Sequence, residues 1–118
     1  MFVRKQEKKK IPRVVIVGGG FAGIATIQSL QRTGVSCEII LVTKNDSFEY
    51  YPTLYNLVTG ALAIEASVPY QRIKGLNKIV LEKGTFISTA LERQSILVRD
   101  ENGGEKEIVY DYLVLALG

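Results

Sequence analysis

The stretch that decides the fold is RVVIVGGGFAGIATIQSLQRTGVSCEIILV, residues 13–42. A compact, largely β-branched run at residues 11–17 is typical of a strand buried on both faces of a parallel sheet. Glycines end this run, and apolar residues at helical spacing then predict a helix over 21–33 that stops at Gly34. A second apolar strand is predicted at 37–42, so strand, glycine turn, helix and strand together have the length of a βαβ unit.

The glycine turn contains the pattern G-x-G-x-x-G, which indicates a dinucleotide-binding turn when it joins a buried strand to a helix. Gly18 allows the tight turn, Gly20 lets a pyrophosphate approach the backbone, and Gly23 lets the helix lie close to the strand. The N–H groups at the helix start, with the helix dipole behind them, then face the phosphate charge. The candidate cofactor-binding residues of this segment are Gly18, Gly19, Gly20, Phe21, Ala22 and Gly23.

One part of the dinucleotide pattern is missing after the second strand. The pattern expects an acid there to bind the ribose hydroxyls, whereas this chain has Thr43 and then Lys44, and Asp46 comes a few residues too late. Thr43 can still form a hydrogen bond with a ribose, and Lys44 can favour the 2′-phosphate of NADPH. The departure leaves open which dinucleotide binds.

The remainder of the chain predicts further strands around an aromatic loop. The loop at 43–60 changes from polar to strongly aromatic, and the sequence DENGG at 100–104 is a strong hairpin signal. A fully apolar strand, which we expect to be buried, occupies 112–117. The other predicted elements are a short helix at 54–62, a helix from 68 to 73, an ambiguous segment at 78–81, one or two strands at 85–98 and a strand at 107–110.

The charge of the chain is concentrated in its first residues. The net charge is +3, and residues 1–13 hold six basic side chains and one acid, which leaves nine basic and eleven acidic residues in the body. The basic character therefore comes from a flexible tail, residues 1–12, and we expect no nucleic-acid partner. Such a tail can be attracted to an anionic membrane surface, whereas the first apolar run is too short to span a bilayer.

The residue types present exclude several kinds of chemistry within this chain. It has no histidine, which excludes catalysis and metal binding by histidine, and we expect no metal site. Cys37 is the only cysteine, so an internal disulfide is excluded. Because the last apolar strand runs directly into Gly118, we expect the chain to be truncated at its C-terminus relative to a longer protein.

Four segments resemble the first part of the type II NADH:quinone oxidoreductases, within the FAD-dependent pyridine nucleotide-disulfide oxidoreductase superfamily, which includes sulfide:quinone reductases. In chain order they are RVVIVGGGFAGIATIQSLQ, FEYYPTLYNLVTGAL, SVPYQRI and YDYLVLALG. The resemblance covers nearly the whole chain from Arg13 onward. It implies an α/β fold, namely a Rossmann-like FAD-binding domain with a βαβ parallel sheet and an added antiparallel β-hairpin or meander. Residues 13–118 would be the N-terminal part of that FAD/NAD(P)-binding domain.

The resemblance also implies roles for individual residues. The glycine turn would hold the FAD pyrophosphate, and Thr43 and Lys44 would lie beside the adenosine ribose. The segment 51–55 resembles the stretch that approaches the isoalloxazine ring, which makes Tyr51 and Pro52 candidate cofactor-binding residues.

Two further segments are assigned to the cofactor by the same resemblance. Ala90 falls where a strand of the family passes the adenine. The segment from Ala116 to Gly118 resembles an A-T-G motif that returns to the flavin cleft, although A-L-G lacks the central hydroxyl. No catalytic side chain is assigned, because the flavin carries the chemistry in such enzymes.

The activity implied by the resemblance is that of an NADH dehydrogenase that passes electrons from NADH through FAD to a quinone. This chain would supply the FAD cradle, with NAD(P)H as co-substrate, in the cytoplasm at the inner face of a membrane, and would be inactive alone. A sulfide:quinone reductase or an NADPH-binding relative is the first alternative. The second alternative is a nucleotide-binding module or interaction protein without catalysis.

Overall fold

The structure, a computed structural model, describes residues 11–45, 47–49, 67–73 and 75–117. The first ten residues of the predicted tail and the predicted helix at 54–62 lie outside the described residues. The described elements, in chain order, are β1 Arg13–Val17, α1 Phe21–Thr33, β2 Glu38–Thr43, β3 Ser47–Glu49, β4 Ser67–Pro69, β5 Val80–Lys83, β6 Thr85–Ala90, β7 Ser95–Arg99, β8 Glu105–Val109 and β9 Tyr112–Leu115. Short 3₁₀ turns at Tyr70–Arg72 and Leu76–Lys78 lie between β4 and β5.

Strands β1 and β2 form the centre of a parallel sheet with the described order β5-β2-β1-β9. In this register Val17, the last residue of β1, lies opposite Val42 of β2 and Leu115 of β9. Helix α1 connects β1 to β2, as a parallel pair requires. The predicted α/β fold with a βαβ unit is confirmed.

Alternate residues of β1 point into two separate cores, because side chains alternate across a strand. Ile16 packs with Ile27 of α1 on one face of the sheet. Val15 packs with Ile96 of β7 on the other face. All four side chains are at most 1% exposed, which explains why the central strands have continuous apolar sequences rather than alternating ones.

Helix α1 has the predicted bounds, 21–33, and Gly34 ends it as predicted. Gly34 has a φ of 75°, and its backbone N–H donates a 3.3 Å hydrogen bond to the carbonyl oxygen of Gln31. A glycine in this left-handed conformation is a common way for a helix to stop. Among the helical segments that the structure describes, none has the length and hydropathy needed to cross a bilayer.

Strands β6, β7 and β8 form an antiparallel meander that covers the face of the parallel sheet opposite α1. The turn between β7 and β8 is closed by Asp100, whose carboxylate accepts 2.9 Å hydrogen bonds from the backbone N–H groups of Asn102 and Gly104. The predicted hairpin at 100–104 is therefore confirmed. The predicted region 85–98 contains the two strands β6 and β7, with a turn between them.

Two local predictions are wrong. The segment 68–73 is not a helix, since Pro69 ends strand β4 in an extended conformation (ψ 137°), β4 pairs with β3, and only a short 3₁₀ turn follows. Strand β9 is not buried, because it lies at the edge of the described sheet, where Tyr112 is 64% and Leu115 52% exposed. The ambiguous segment 78–81 contributes to β5.

Candidate functional site

The glycine turn lies at the carboxyl end of the parallel sheet and is held there by two neighbouring strands. The backbone N–H of Gly18 donates to the carbonyl oxygen of Val42 in β2 at 2.9 Å. On the other side, the backbone N–H of Ala116 donates to the carbonyl oxygen of Val17 at 2.8 Å. Ligands of doubly wound folds bind at this end of the sheet, so the turn occupies the expected position for a nucleotide site.

The first and last glycines of the pattern are required by contacts inside the protein. Gly18 has a φ of 113°, and an added Cβ would lie 2.7 Å from the carbonyl carbon of Ala116 and closer to its oxygen. A Cβ on Gly23 would collide with the carbonyl group of Gly18, whose carbon would be 3.1 Å away. These two glycines therefore let β9 and α1 approach the turn closely.

The second glycine, Gly19, lies directly against the side chain of Tyr70. The tyrosine hydroxyl donates a 2.6 Å hydrogen bond to the carbonyl oxygen of Gly19. An added Cβ on Gly19 would lie 2.7 Å from Cζ of Tyr70 and 2.9 Å from Oγ1 of Thr43. The pattern leaves this position free, and the packing of Tyr70 explains why a glycine occupies it.

Tyr70 is not among the site residues predicted from the sequence. It lies 51 residues from Gly19, and its ring is 4% exposed in the core between the sheet and α1. The one signal in the sequence was the third consecutive glycine, since G-x-G-x-x-G requires glycine at only two positions of GGG. The third glycine indicates that another part of the protein lies close to the turn, but it does not indicate which residue that is.

Gly20 differs from the other glycines of the turn because no contact within the described residues requires it. Its backbone (φ −85°, ψ −163°) is extended, which any residue can adopt. An added Cβ would meet no atom of the described residues within 4 Å. The space beside Gly20 is therefore open at the point where a pyrophosphate is predicted to approach the backbone.

The start of helix α1 presents a favourable electrostatic environment to this open space. The first helical hydrogen bond runs from the N–H of Ile24 to the carbonyl oxygen of Gly20 at 3.1 Å. The first turn contains no acidic residue, so nothing in it offsets the partial positive charge of the helix dipole. Phe21 and Ala22 are exposed at this end of the helix. Such a helix start favours an anionic group.

Thr43, at the end of β2, makes its described contacts with the protein. It is 7% exposed, its Oγ1 lies 3.5 Å from the hydroxyl of Tyr70, and it accepts a 3.3 Å hydrogen bond from the backbone N–H of Asn45. Lys44 is exposed at the same edge of the sheet. The contacts of Thr43 with a ribose and of Lys44 with a 2′-phosphate stay predictions.

The structure does not bring Ala90 to the glycine turn. Ala90 ends β6, five residues and about 17 Å along the strand from Thr85. Thr85 follows Gly84, whose backbone N–H donates a 2.8 Å hydrogen bond to the carbonyl oxygen of Thr43 at the carboxyl end of β2. Ala90 instead pairs with Ser95, which in turn pairs with Val109. The carbonyl oxygen of Val109 accepts a 3.2 Å hydrogen bond from the guanidinium of Arg13, at the opposite end of β1. The strand register therefore gives no support to the predicted adenine contact of Ala90.

Of the remaining predicted cofactor-binding residues, the structure describes only Ala116. Ala116 lies against Gly18, so the structure brings this part of the A-L-G segment to the glycine turn. Tyr51, Pro52 and Gly118 lie outside the described residues. Their predicted contacts with the flavin stay predictions.

Comparison with known proteins agrees with this geometry. The sequence profile of the pyridine nucleotide-disulphide oxidoreductase family matches residues 12–118. Demethylphylloquinone reductase NdbB of Synechocystis sp. is 30% identical over 91% of this chain and 28% of its own length. Type II NADH:quinone oxidoreductase Ndh of Mycobacterium tuberculosis is 31% identical over 90% of this chain and 23% of its own length.

A solved structure shows the same fold. The sulfide:quinone oxidoreductase from Aquifex aeolicus matches with a TM-score of 0.72 and 28% identity, over 91% of this chain and 24% of that chain. The chain thus spans about a quarter of the length of the curated relatives it matches (28%, 25% and 23% for three of them).

Proposed function

The chain belongs to the pyridine nucleotide-disulphide oxidoreductase family, and from this we propose that it binds the ADP half of FAD. The site would serve an enzyme that passes electrons from NADH to a quinone. Support comes from the similarity to a demethylphylloquinone reductase and a type II NADH:quinone oxidoreductase. Residues 13–118 would form the N-terminal part of a larger FAD/NAD(P)-binding domain and would follow a basic tail at residues 1–12.

The observation that carries this proposal is the open space beside Gly20. The neighbouring glycines are explained by the protein's own contacts, whereas Gly20 has an ordinary backbone conformation and open space where its Cβ would lie. Gly20 is also the N-cap of α1, where glycine is a common residue, but the open space at its Cβ position among the described residues favours a ligand that approaches its backbone. The helix start at the same place favours an anionic ligand, and a pyrophosphate has this charge.

The proposed cradle consists of backbone groups at one edge of the sheet. Residues 18–23 would hold the pyrophosphate, and Thr43 and Lys44 lie on the side where the ribose would extend. The segment 116–118 would lie towards the flavin, together with Tyr51 and Pro52. FAD, when bound, would supply the redox chemistry, and the chain's own residues would bind and orient it. The basic tail would give a peripheral attachment to the inner face of a membrane.

The decisive experiment compares ligand binding by the purified chain and two glycine variants. We expect the chain to bind FAD and 5′-ADP, measured by calorimetry, and Gly20→Ala to weaken both by about tenfold or more, because its methyl group would occupy the phosphate space. The free energy of unfolding of Gly20→Ala should change by less than about 1 kcal/mol, because alanine is less favourable than glycine at this helix N-cap but loses less backbone entropy on folding. Gly104→Ala, in the β7–β8 turn, is the matched control and should bind like the original chain. Absence of binding, or equal affinity of Gly20→Ala, would refute the proposal.

A sulfide:quinone reductase is the second candidate, because the A. aeolicus sulfide:quinone oxidoreductase matches the chain at 28% identity, close to the values for the NADH-linked relatives. Both candidates would use the same FAD cradle. They are separated by assaying the full-length protein with NADH, NADPH and sulfide as alternative electron donors and a soluble quinone as acceptor. We expect NADH to support quinone reduction, and reduction with sulfide alone would favour the second candidate.

A further inference from the structure

We propose that Tyr70 is a positioning residue of the cofactor site, which fixes the orientation of the peptide group between Gly19 and Gly20. This inference rests on the proposed function, because it assigns a role at the same phosphate site. It adds a residue that lies outside the glycine pattern and beyond the βαβ unit.

The hydrogen bond determines which way the peptide points. The hydroxyl of Tyr70 donates to the carbonyl oxygen of Gly19 at 2.6 Å, so this carbonyl group points towards the buried ring. All peptide bonds of the described residues are trans, and in a trans peptide the N–H points opposite to the C=O. The N–H of Gly20 therefore points away from Tyr70 and outwards from the core. A phosphate group at the helix start needs such an outward N–H donor.

The close contact shows that the tyrosine and the glycine form a matched pair. A Cβ on Gly19 would lie 2.7 Å from Cζ of Tyr70, so a larger residue at position 19 would displace the ring. The hydroxyl of Tyr70 also lies 3.5 Å from Oγ1 of Thr43, at the end of β2. Tyr70 thus contacts the glycine turn on the side that faces the core. On the opposite side, among the described residues, the space beside Gly20 is open.

Without the hydroxyl of Tyr70, the orientation of the Gly19–Gly20 peptide group would be less defined. A glycine peptide has few steric constraints, so the Gly19–Gly20 peptide can rotate unless a partner holds its carbonyl group. Tyr70→Phe removes only the hydroxyl and keeps the ring in the core. The loss of one such hydrogen bond corresponds to about a three- to tenfold change in an equilibrium constant. Part of this loss should appear in the binding of phosphate-containing ligands.

The test combines NMR spectroscopy of the ligand-free chain with a titration of 5′-ADP. In Tyr70→Phe we expect the carbonyl resonance of Gly19 and the amide resonance of Gly20 to shift before any ligand is added. We expect the Kd for 5′-ADP to rise about three- to tenfold. The matched control is Tyr110→Phe, which removes a hydroxyl from a tyrosine that is 7% exposed in the core on the other face of the sheet. This control should change neither the glycine resonances nor the Kd.

The possible failures are distinguishable. Unchanged glycine resonances in Tyr70→Phe would overturn the positioning role, whatever the chain binds. Shifted resonances with an unchanged Kd would show that the orientation of this peptide does not govern phosphate binding, and would also overturn it. If the original chain binds no 5′-ADP, the proposed function fails and the role of Tyr70 fails with it. If both Phe variants lose affinity equally, the effect of Tyr70 is only a general loss of packing.

Discussion

Ser95 donates a hydrogen bond from its buried hydroxyl to the carboxylate of Glu107 across the β7–β8 pair. The same carboxylate oxygen accepts a 2.9 Å hydrogen bond from Nε of Arg93. The hydrogen bonds from Ser95 and then Arg93, together with the positive charge of Arg93, lower the pKa of Glu107 below its ordinary value of 4.5. The ionised carboxylate of Glu107 therefore links β8 to β7 and to the β6–β7 turn, at the end of the meander away from the glycine turn.

The pH dependence of stability should reflect this carboxylate. Because the pKa of Glu107 is lower in the folded chain than in the unfolded chain, its contribution is present above the unfolded pKa and is lost as the pH falls through the folded pKa. We expect Glu107→Gln to reduce the dependence of the unfolding free energy on pH below about 5. Urea unfolding from pH 3 to 7 measures this, with Glu92→Gln, at an exposed position in the β6–β7 turn, as the control. Parallel pH profiles for the original chain and Glu107→Gln would contradict the expectation.

Gln94 is strained in the turn between β6 and β7. Its φ is 50°, and its backbone is fixed on both sides, since its N–H donates to Leu91 and its C=O accepts from Tyr110. Residues with a Cβ pay about 1–2 kcal/mol for this left-handed conformation. We expect Gln94→Gly to raise the free energy of unfolding by about 0.5–1 kcal/mol, after the entropy of the glycine is subtracted. Gln94→Ala keeps the strain and should give no gain, so an equal gain from alanine would refute this explanation.

The contact between Gly19 and Tyr70 can be tested by stability alone. Gly19→Ala should destabilise the fold by about 1–3 kcal/mol, because the new methyl group collides with the tyrosine ring. In a Tyr70→Leu background the same substitution should cost at least about 1 kcal/mol less, since the tyrosine atoms are gone and only the contact with Oγ1 of Thr43 at 2.9 Å remains. A double-mutant cycle from urea unfolding measures this coupling. Additive effects of the two substitutions would show that Tyr70 does not crowd Gly19.

Substitution of Lys44 tests whether the proposed dinucleotide is FAD or NADPH. The proposed ligand has no 2′-phosphate, so we expect 2′,5′-ADP to bind no more than about threefold tighter than 5′-ADP. Lys44→Ala should then weaken both ligands to a similar extent, as measured by calorimetry. A preference of more than about tenfold for 2′,5′-ADP that disappears in Lys44→Ala would instead favour an NADPH site.

The family and the fold class could be predicted from the sequence because both rest on local patterns. The helix bounds of 21–33 follow from apolar spacing and Gly34, and the β7–β8 turn follows from glycine and asparagine near Asp100. Both patterns act over a few residues, so no long-range contact has to be known. The family, confirmed by the match over residues 12–118, depends on the same local motifs.

The predictions that failed or lack support depend on neighbours in space. The apolarity of 112–117 indicates a strand but not its place at the sheet edge, so the exposure of Tyr112 could not be predicted. The segment 68–73 contains a helix-compatible sequence, but β4 pairs with β3 instead. The direction of β6 determines which of its ends lies near the glycine turn. Ala90 is at the other end of the strand, and this direction could not be predicted from the sequence. Tyr70 meets Gly19 only through the folded core.

The hydrogen bond between Ala116 and Val17 has a consequence for the order in which the chain becomes functional. On the ribosome the glycine turn is synthesised before β9, its last described partner, which emerges almost one hundred residues later. Long-range pairings of this kind form late, because the intervening loop must close first. A nascent chain would therefore present the turn without its β9 support, and binding of the proposed FAD would follow synthesis of β9 rather than precede it.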